Sequence, residues 1–256
     1  MRILVTNDDG VDAPGLAALA AAVGDLGDGS VIAPTAVQSA AGHRITLKTP
    51  MTVRNVRIDS LEALSVDGSP ADCVRLAVRN LLDERPDLVL SGINAGVNVG
   101  FNVFYSGTVA AAGEATMFHI PAVAFSAWAD QPVDWDRAAR LCRWVLDGLL
   151  AADALQPHPT AGRGLINVNI PPLGDDTPKG VRICRQSRAV IDDVYQDHGD
   201  GTWGLGDDYR FSKPSADTDV ALLQAGFITV TPLLMDMTDR DAMGRMRDFS
   251  PGDPPA

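Results

Sequence analysis

Met1-Arg-Ile-Leu-Val-Thr-Asn-Asp-Asp-Gly10 opens the chain, and its reading decides the fold class. Ile3, Leu4 and Val5 form a short continuous apolar run, as in a strand buried on both faces of a parallel sheet. Asn7, Asp8, Asp9 and Gly10 follow at once, then Pro14 and an apolar-periodic stretch to Val23 that reads as a helix. In open α/β sheets, ligands bind beyond the carboxyl ends of the strands. Two carboxylates there repel unless a positive group lies between them. A hard divalent cation is the simplest such group. A plainer alternative stays open: an Asx-rich turn that caps the following helix.

Working outward, strands and helices alternate. Ser30–Ala33 is a second strand, stopped by Pro34. Residues 44–58 alternate around Pro50 and predict a hairpin. Pro70 starts a helix with Val74, Leu76, Ala77, Leu81 and Leu82 at helical spacing. Asp87–Leu90 and Ala122–Phe125 read as strands, and Thr108–Met117 and Trp135–Ala152 as helices. This order predicts an α/β fold with a Rossmann-like, doubly wound, mostly parallel sheet. Beyond residue 153 the texture turns to loops and short strands: 165–170, 181–184, 189–195 and 227–231, with a hairpin tip at Gly199-Asp-Gly201. The expected division is a catalytic core over 1–185 and a β-rich extension over 186–256 with a frayed tail.

The charge balance narrows the partners. A net charge of −12 argues against long nucleic acid, which needs a basic footprint. Cys73, Cys142 and Cys184 are odd in number and far apart, so neither a disulfide framework nor a zinc knuckle is expected. No apolar run approaches a membrane span, and no leader-like segment precedes the first strand. The cytoplasm is the expected compartment.

Three more polar clusters accompany Asp8 and Asp9. Residues 33–43 offer the Ser39 hydroxyl and a flexible Gly42. Residues 91–98 place the neutral oxygen donors Asn94 and Asn98 among glycines. Tyr105-Ser-Gly-Thr-Val109 leads into an alanine-rich helix, where backbone N–H groups and the helix dipole favour phosphate. Each cluster alone is commonly a cap or a turn. On one sheet edge they would supply hard oxygen ligands for Mg²⁺ or Mn²⁺ and an anion seat. His43 lies near enough to Ser39 to approach a substrate, whereas His119, His158 and His198 read as surface residues. Arg44 and Arg75 read as solvated side chains.

The ordered set 7–11, 13–15, Ser39, 68–74, 91–98 and 105–111 resembles the SurE family of survival-protein 5′-nucleotidases, and the likeness resumes at 165–171 and 218–233. The resemblance implies hydrolysis of nucleoside monophosphates with one divalent cation per subunit, in a homodimer or homotetramer that exchanges its C-terminal segment. It carries the metal ligands onto Asp8, Asp9, Ser39 and Asn94, with Asp8 and Asp9 catalytic, and the phosphate contacts onto Ser106, Gly107 and Thr108, with Asn98 beside them. Two stretches depart from the family pattern. Thr35-Ala-Val37 lacks its usual Arg, and Ser39-Ala-Ala-Gly42 lacks the glycine next to the serine.

Other chemistries fit less well. A haloacid-dehalogenase-like phosphatase needs Asp-x-Asp, but Asp8 and Asp9 are adjacent. A dinucleotide-binding dehydrogenase needs Gly-x-Gly-x-x-Gly after the first strand, which is absent. A metal- and nucleotide-binding sensor without turnover remains the alternative from outside enzymology.

Overall fold

The computed structural model describes residues 1–58, 60–129, 132–172, 177–189, 195–205 and 214–250. At its centre is β1, Arg2–Thr6, flanked by β2 (Asp28–Pro34) and β5 (Leu88–Ala95), both parallel to it. Outward from β2 lie β4 (Leu61–Val66) and β3 (Val53–Ile58). Outward from β5 lie β6 (Ala122–Ala127), β7 (Leu165–Ile170), β11 (Ile228–Leu233) and β8 (Val181–Ile183), making nine strands. Only β3 against β4 and β11 against β7 run antiparallel.

The apolar run of β1 serves both faces, as its composition requires. Ile3 and Val5 enter a core with Leu16, Leu19, Cys142 and Leu146, whereas Leu4 enters another with Val74, Val89 and Ala112. Helices α1 (Pro14–Val23) and α4 (Trp135–Ala151) cover the first face, and α2 (Pro70–Leu76) and α3 (Gly107–Met117) the second. A π-helical turn, Ala77–Leu81, prolongs α2. The doubly wound reading therefore holds, and the strand order reverses between β1 and β5. That is the place where such sheets leave a crevice.

The hairpin differs from the sequence expectation. Its arms are β3 and β4, and Pro50 precedes it. Residues 44–46 are drawn elsewhere: the Arg44 carbonyl accepts from Ser69 Oγ at 2.7 Å, and Thr46 N–H donates to Asp72 Oδ1 at 2.9 Å. The core also does not stop at residue 185. Helix α5 (Asp219–Gln224) returns the chain so that β11 pairs with β7 and β8 inside the main sheet. The hairpin tip at 199–201 stands as read. It joins β9 (Tyr195–Asp197) to β10 (Trp203–Leu205) in a sheet of its own. Of the strand expected over 189–195, residues 190–194 lie outside the described residues, as does the tail from 251. A short helix α6, Arg240–Arg245, was not expected; Asp239 caps it by accepting from Ala242 N–H at 2.8 Å.

Asp72 is the main polar anchor beneath the second face. It is 2% exposed, and it accepts from Thr46 Oγ1 at 2.7 Å and Ser69 N–H at 2.9 Å, closing a capping box. Burial pushes its carboxyl up, but the Thr46 and Ser69 donors outweigh that and hold it below its ordinary value. A depressed folded value contributes stability above the unfolded pKa, and that stability is lost as pH falls through the folded one. Asp72→Asn should cost about 1–2 kcal/mol at pH 7. Urea unfolding at pH 7 and near pH 3 checks this: the gap from the native protein should narrow at the lower pH.

Candidate active site

Beyond β1 the chain turns at once. Asn7 Nδ2 donates to the Gly10 carbonyl at 2.8 Å, and Gly10 takes φ +98°, which favours glycine. The plainer reading is therefore half right, because the turn exists. Its aspartates, however, do not cap α1, whose N-cap is Ala13 with no side-chain bond.

Two connections converge on the two carboxylates, one of them at both of its ends. The β2 loop is tied to Asp8 by Gln38 N–H, which donates to the Asp8 carbonyl at 2.7 Å, and this sets Ser39 next in line. At the end of β5, Ala95 N–H donates to Asp9 Oδ2 at 3.1 Å, beside Asn94. Asn94 Nδ2 donates to the Gly96 carbonyl at 2.6 Å, leaving its amide oxygen to accept. The start of α3 contributes the Thr108 hydroxyl, which donates to Asp8 Oδ1. The 91–98 and 105–109 clusters belong to the same β5–α3 connection, so fewer strand ends meet here than there are motifs.

Glycine is required in two of these contacts. A Cβ on Gly15 would lie 2.1 Å from the Ile93 carbonyl oxygen, so no other residue lets α1 lean on β5. A Cβ on Gly107 would lie 2.7 Å from Asp8 Cβ and 2.9 Å from Asp8 Oδ2. The resemblance carries a phosphate contact onto Gly107. The structure shows that it first makes room for Asp8.

Asp8 is 6% exposed and Asp9 is half-buried. Burial pushes the Asp8 carboxyl up to about 6; the Thr108 hydroxyl opposes this and the charge of Asp9 adds to it. Burial also raises Asp9, against the Ala95 N–H. Among the described residues neither carboxylate has a Lys, Arg or His partner. Two adjacent, desolvated and unpaired carboxylates fit a cation, and buried Asn7 Oδ1 also lacks a donor. The donor set is oxygen only. Among the described residues no cluster of three or more His, Cys, Asp or Glu could hold a metal, so neutral oxygens must complete any shell.

The phosphate candidates divide. Ser106 caps α3 by accepting from Val109 N–H at 3.1 Å, as a simple cap does. Among the described residues the Gly107 N–H has no acceptor, whereas the Thr108 N–H, like its hydroxyl, acts on the Asp8 carboxylate. The Thr108 hydroxyl is spent on Asp8. Asn98 lies deeper than the sequence reading had it. Its Nδ2 donates to Ser126 Oγ at 2.8 Å, and its backbone is held by Asn167 and Asn169 from β7. That brace was missed, although two asparagines spaced two apart in the apolar strand 165–170 were the available signal. Ser39 is exposed.

Among the described residues His43 is the histidine that meets a carboxylate, through Nε2 at 2.9 Å from Glu114 Oε2, whereas His119 Nδ1 lies 3.0 Å from the His158 carbonyl and His158 Nδ1 accepts from Thr160 N–H at 2.9 Å. Arg75 pairs with the same carboxylate at 3.1 Å, and Arg44 reaches Gln38 Oε1 at 2.6 Å, so neither is a free surface side chain.

Comparisons with known proteins give the family. Residues 3–193 match the family model described as Survival protein SurE. The chain is 39% identical over 254 residues to a 5′-nucleotidase SurE of Desulfitobacterium hafniense, covering 96% of both chains. It is 40% identical over 259 residues to a 5′-nucleotidase SurE of Rhodopirellula baltica, covering 98% of this chain and 99% of that one. The crystal structure of the SurE protein from Aquifex aeolicus superposes with a TM-score of 0.81 at 32% identity, over 97% of this chain and 99% of that one. With the doubly wound sheet and the ordered motifs, these likenesses establish that the chain belongs to the survival protein SurE family.

Proposed function

We propose that this chain is a 5′-nucleotidase, a phosphomonoesterase that hydrolyses nucleoside monophosphates with a divalent cation. The observation that carries the reading is the pair Asp8 and Asp9, one buried and one half-buried, without a cationic partner and packed against Gly107 at the start of α3. The names of the relatives, 5′-nucleotidase SurE, supply the substrate class.

Asp8, Asp9, Ser39 and the Asn94 amide oxygen would hold the cation; Mg²⁺ or Mn²⁺ suits an all-oxygen set. When bound, the cation polarises a phosphoryl oxygen and makes water more acidic. The chain supplies the rest. The Gly107 N–H, with the α3 dipole behind it, receives a phosphoryl oxygen on which charge must be stabilised during transfer. The Thr108 hydroxyl and the Ala95 N–H each fix one carboxylate, so neither has to reorganise during the reaction. The Asn98 brace ties the β5 loop, and so Asn94, to β7.

A panel of nucleoside 5′- and 3′-monophosphates and short polyphosphate, run with Mg²⁺, Mn²⁺ and chelator, tests the reading. Cation-dependent phosphate release from 5′-nucleotides is expected. Tight binding of nucleotide without release would make the protein a sensor instead.

We also place the working protein in the cytoplasm as a homodimer or homotetramer. Among the described residues no helix is long and apolar enough to cross a membrane. The β9–β10 hairpin supports the assembly. Tyr195, Trp203 and Leu205 are 60%, 62% and 42% exposed, and an isolated two-stranded hairpin is marginal in water unless it finds a surface. Deleting everything from 186 would also remove β11 from the sheet, so solution mass is the cleaner check. Light scattering should give at least twice 27.0 kDa, and Trp203→Asp should lower it. A mass of one chain at micromolar concentration would refute the assembly.

A further inference from the structure

Helix α3 carries one acid in an otherwise small and apolar stretch, Val109-Ala-Ala-Ala-Gly-Glu-Ala115. That acid, Glu114, is 1% exposed. A charge in such a place costs stability unless it is paired and hydrogen-bonded. Its partners come from two elements. His43 Nε2 lies 2.9 Å from Oε2, and an Arg75 nitrogen lies 3.1 Å from Oε1, an ion-pair distance without hydrogen-bond alignment. Gly113 borders the ring: a Cβ there would meet His43 Cε1 at an ordinary 3.5 Å and would crowd Met235 Sδ at 2.8 Å.

His43 stands at the end of the loop that carries Ser39. The loop is fastened at its start by Gln38 N–H on the Asp8 carbonyl and near its end by Gly42 N–H on the Tyr105 carbonyl at 3.0 Å. Between these ties, Ala40 and Gly42 both take φ +55°. This is unfavourable for alanine, so the surroundings must hold the loop in place. Among the described residues the Glu114–His43 contact is the side-chain tie between this loop and the body of α3, the helix whose first turn faces Asp8.

We propose that Glu114 is a positioning residue: by holding His43 it clamps the 38–43 loop and sets Ser39 toward Asp8 and Asp9. The proposal rests on the reading of Asp8, Asp9, Ser39 and Asn94 as a cation site. It gives the buried carboxylate a purpose that core packing does not, because alanine would pack there without the desolvation cost. Glu114 need not touch the substrate; its effect travels through the loop.

The test uses the full chain and Mn²⁺ alone, with affinity read by calorimetry and no substrate present. Glu114→Ala and His43→Ala should each weaken Mn²⁺ binding by about tenfold, close to the loss from Ser39→Ala. In the double variant Glu114→Ala with Ser39→Ala, the loss should be no greater than for Ser39→Ala alone, because both act through one ligand. Glu114→Gln keeps the shape and an acceptor for His43, and should recover much of the affinity. His43→Ala, at a partly exposed position, carries the test if Glu114→Ala does not fold. Native affinity in Glu114→Ala and His43→Ala, or losses that multiply in the double variant, would overturn the proposal. No Mn²⁺ binding by the native protein would instead overturn the cation site, and this inference with it.

Discussion

Asp8→Asn and Asp9→Asn are each expected to lower phosphate release from nucleoside monophosphates by at least about a thousandfold, with the fold intact. Each removes a charged ligand from a hard cation and leaves a neutral amide that coordinates it weakly. Chelator should reproduce the loss reversibly in the native enzyme. The stability of the two proteins should separate this from misfolding, and in an unusual direction. Asp8 is raised to about 6 in the folded state, mainly by burial. A raised acid favours the fold only below its unfolded pKa, and that contribution is lost as pH rises through the folded value. At pH 7 in EDTA, Asp8→Asn should therefore be more stable than the native protein, on the order of 2 kcal/mol. The difference should vanish toward pH 4. Full activity of either variant in excess EDTA would sink the metal reading. A variant that is inactive and also less stable would point to a structural role for the carboxylate.

Gly107→Ala should cost about a hundredfold or more in kcat, and Gly107→Val more still, because displacing a catalytic group by about 1 Å has that effect. A single methyl group suffices: it would sit 2.7 Å from Asp8 Cβ and 3.1 Å from Pro70 Cγ, so the carboxylate or the helix must move. Helix propensity predicts the opposite. Alanine in the first turn of α3 should stabilise that helix by up to about 1 kcal/mol relative to glycine. Crowding Asp8 costs about 1–3 kcal/mol and outweighs that gain, so a lowered melt, with activity lost in protein still folded at the assay temperature, is the expected pair of results. Normal kcat and KM in Gly107→Ala would reduce the loop to an ordinary helix cap.

The sequence was legible where function or fold depends on neighbours along the chain. The apolar run Ile3–Val5, Pro70 at the start of α2, the cap at Ser106 and the turn residues after each strand all express local preferences, and the doubly wound order follows from them. The hairpin was misread over 44–58 because alternation alone does not say which of two β-type stretches will find a partner. Asp72 and Ser69, more than twenty residues on, claim Arg44 and Thr46 first. The continuation of the sheet to β11 was hidden for the same reason. A strand placed after a long loop carries no mark of whether it rejoins the sheet.

Nothing in the order of residues tells that Gly107 makes room for Asp8, that the Thr108 hydroxyl is spent on that carboxylate, that Asn98 faces a brace from β7, or that Glu114 holds His43. These pairs lie about 70 to 100 residues apart. Local preference cannot specify such contacts, because they exist only once the sheet brings the ends of β1, β2, β5 and α3 together. By itself the sequence determined which oxygen-bearing side chains and which open N–H groups are available. The tertiary structure decided which of them are buried, which are already used, and which are left to meet a cation and a phosphate. Desolvation and hydrogen bonding, unlike composition, are properties of the assembled fold.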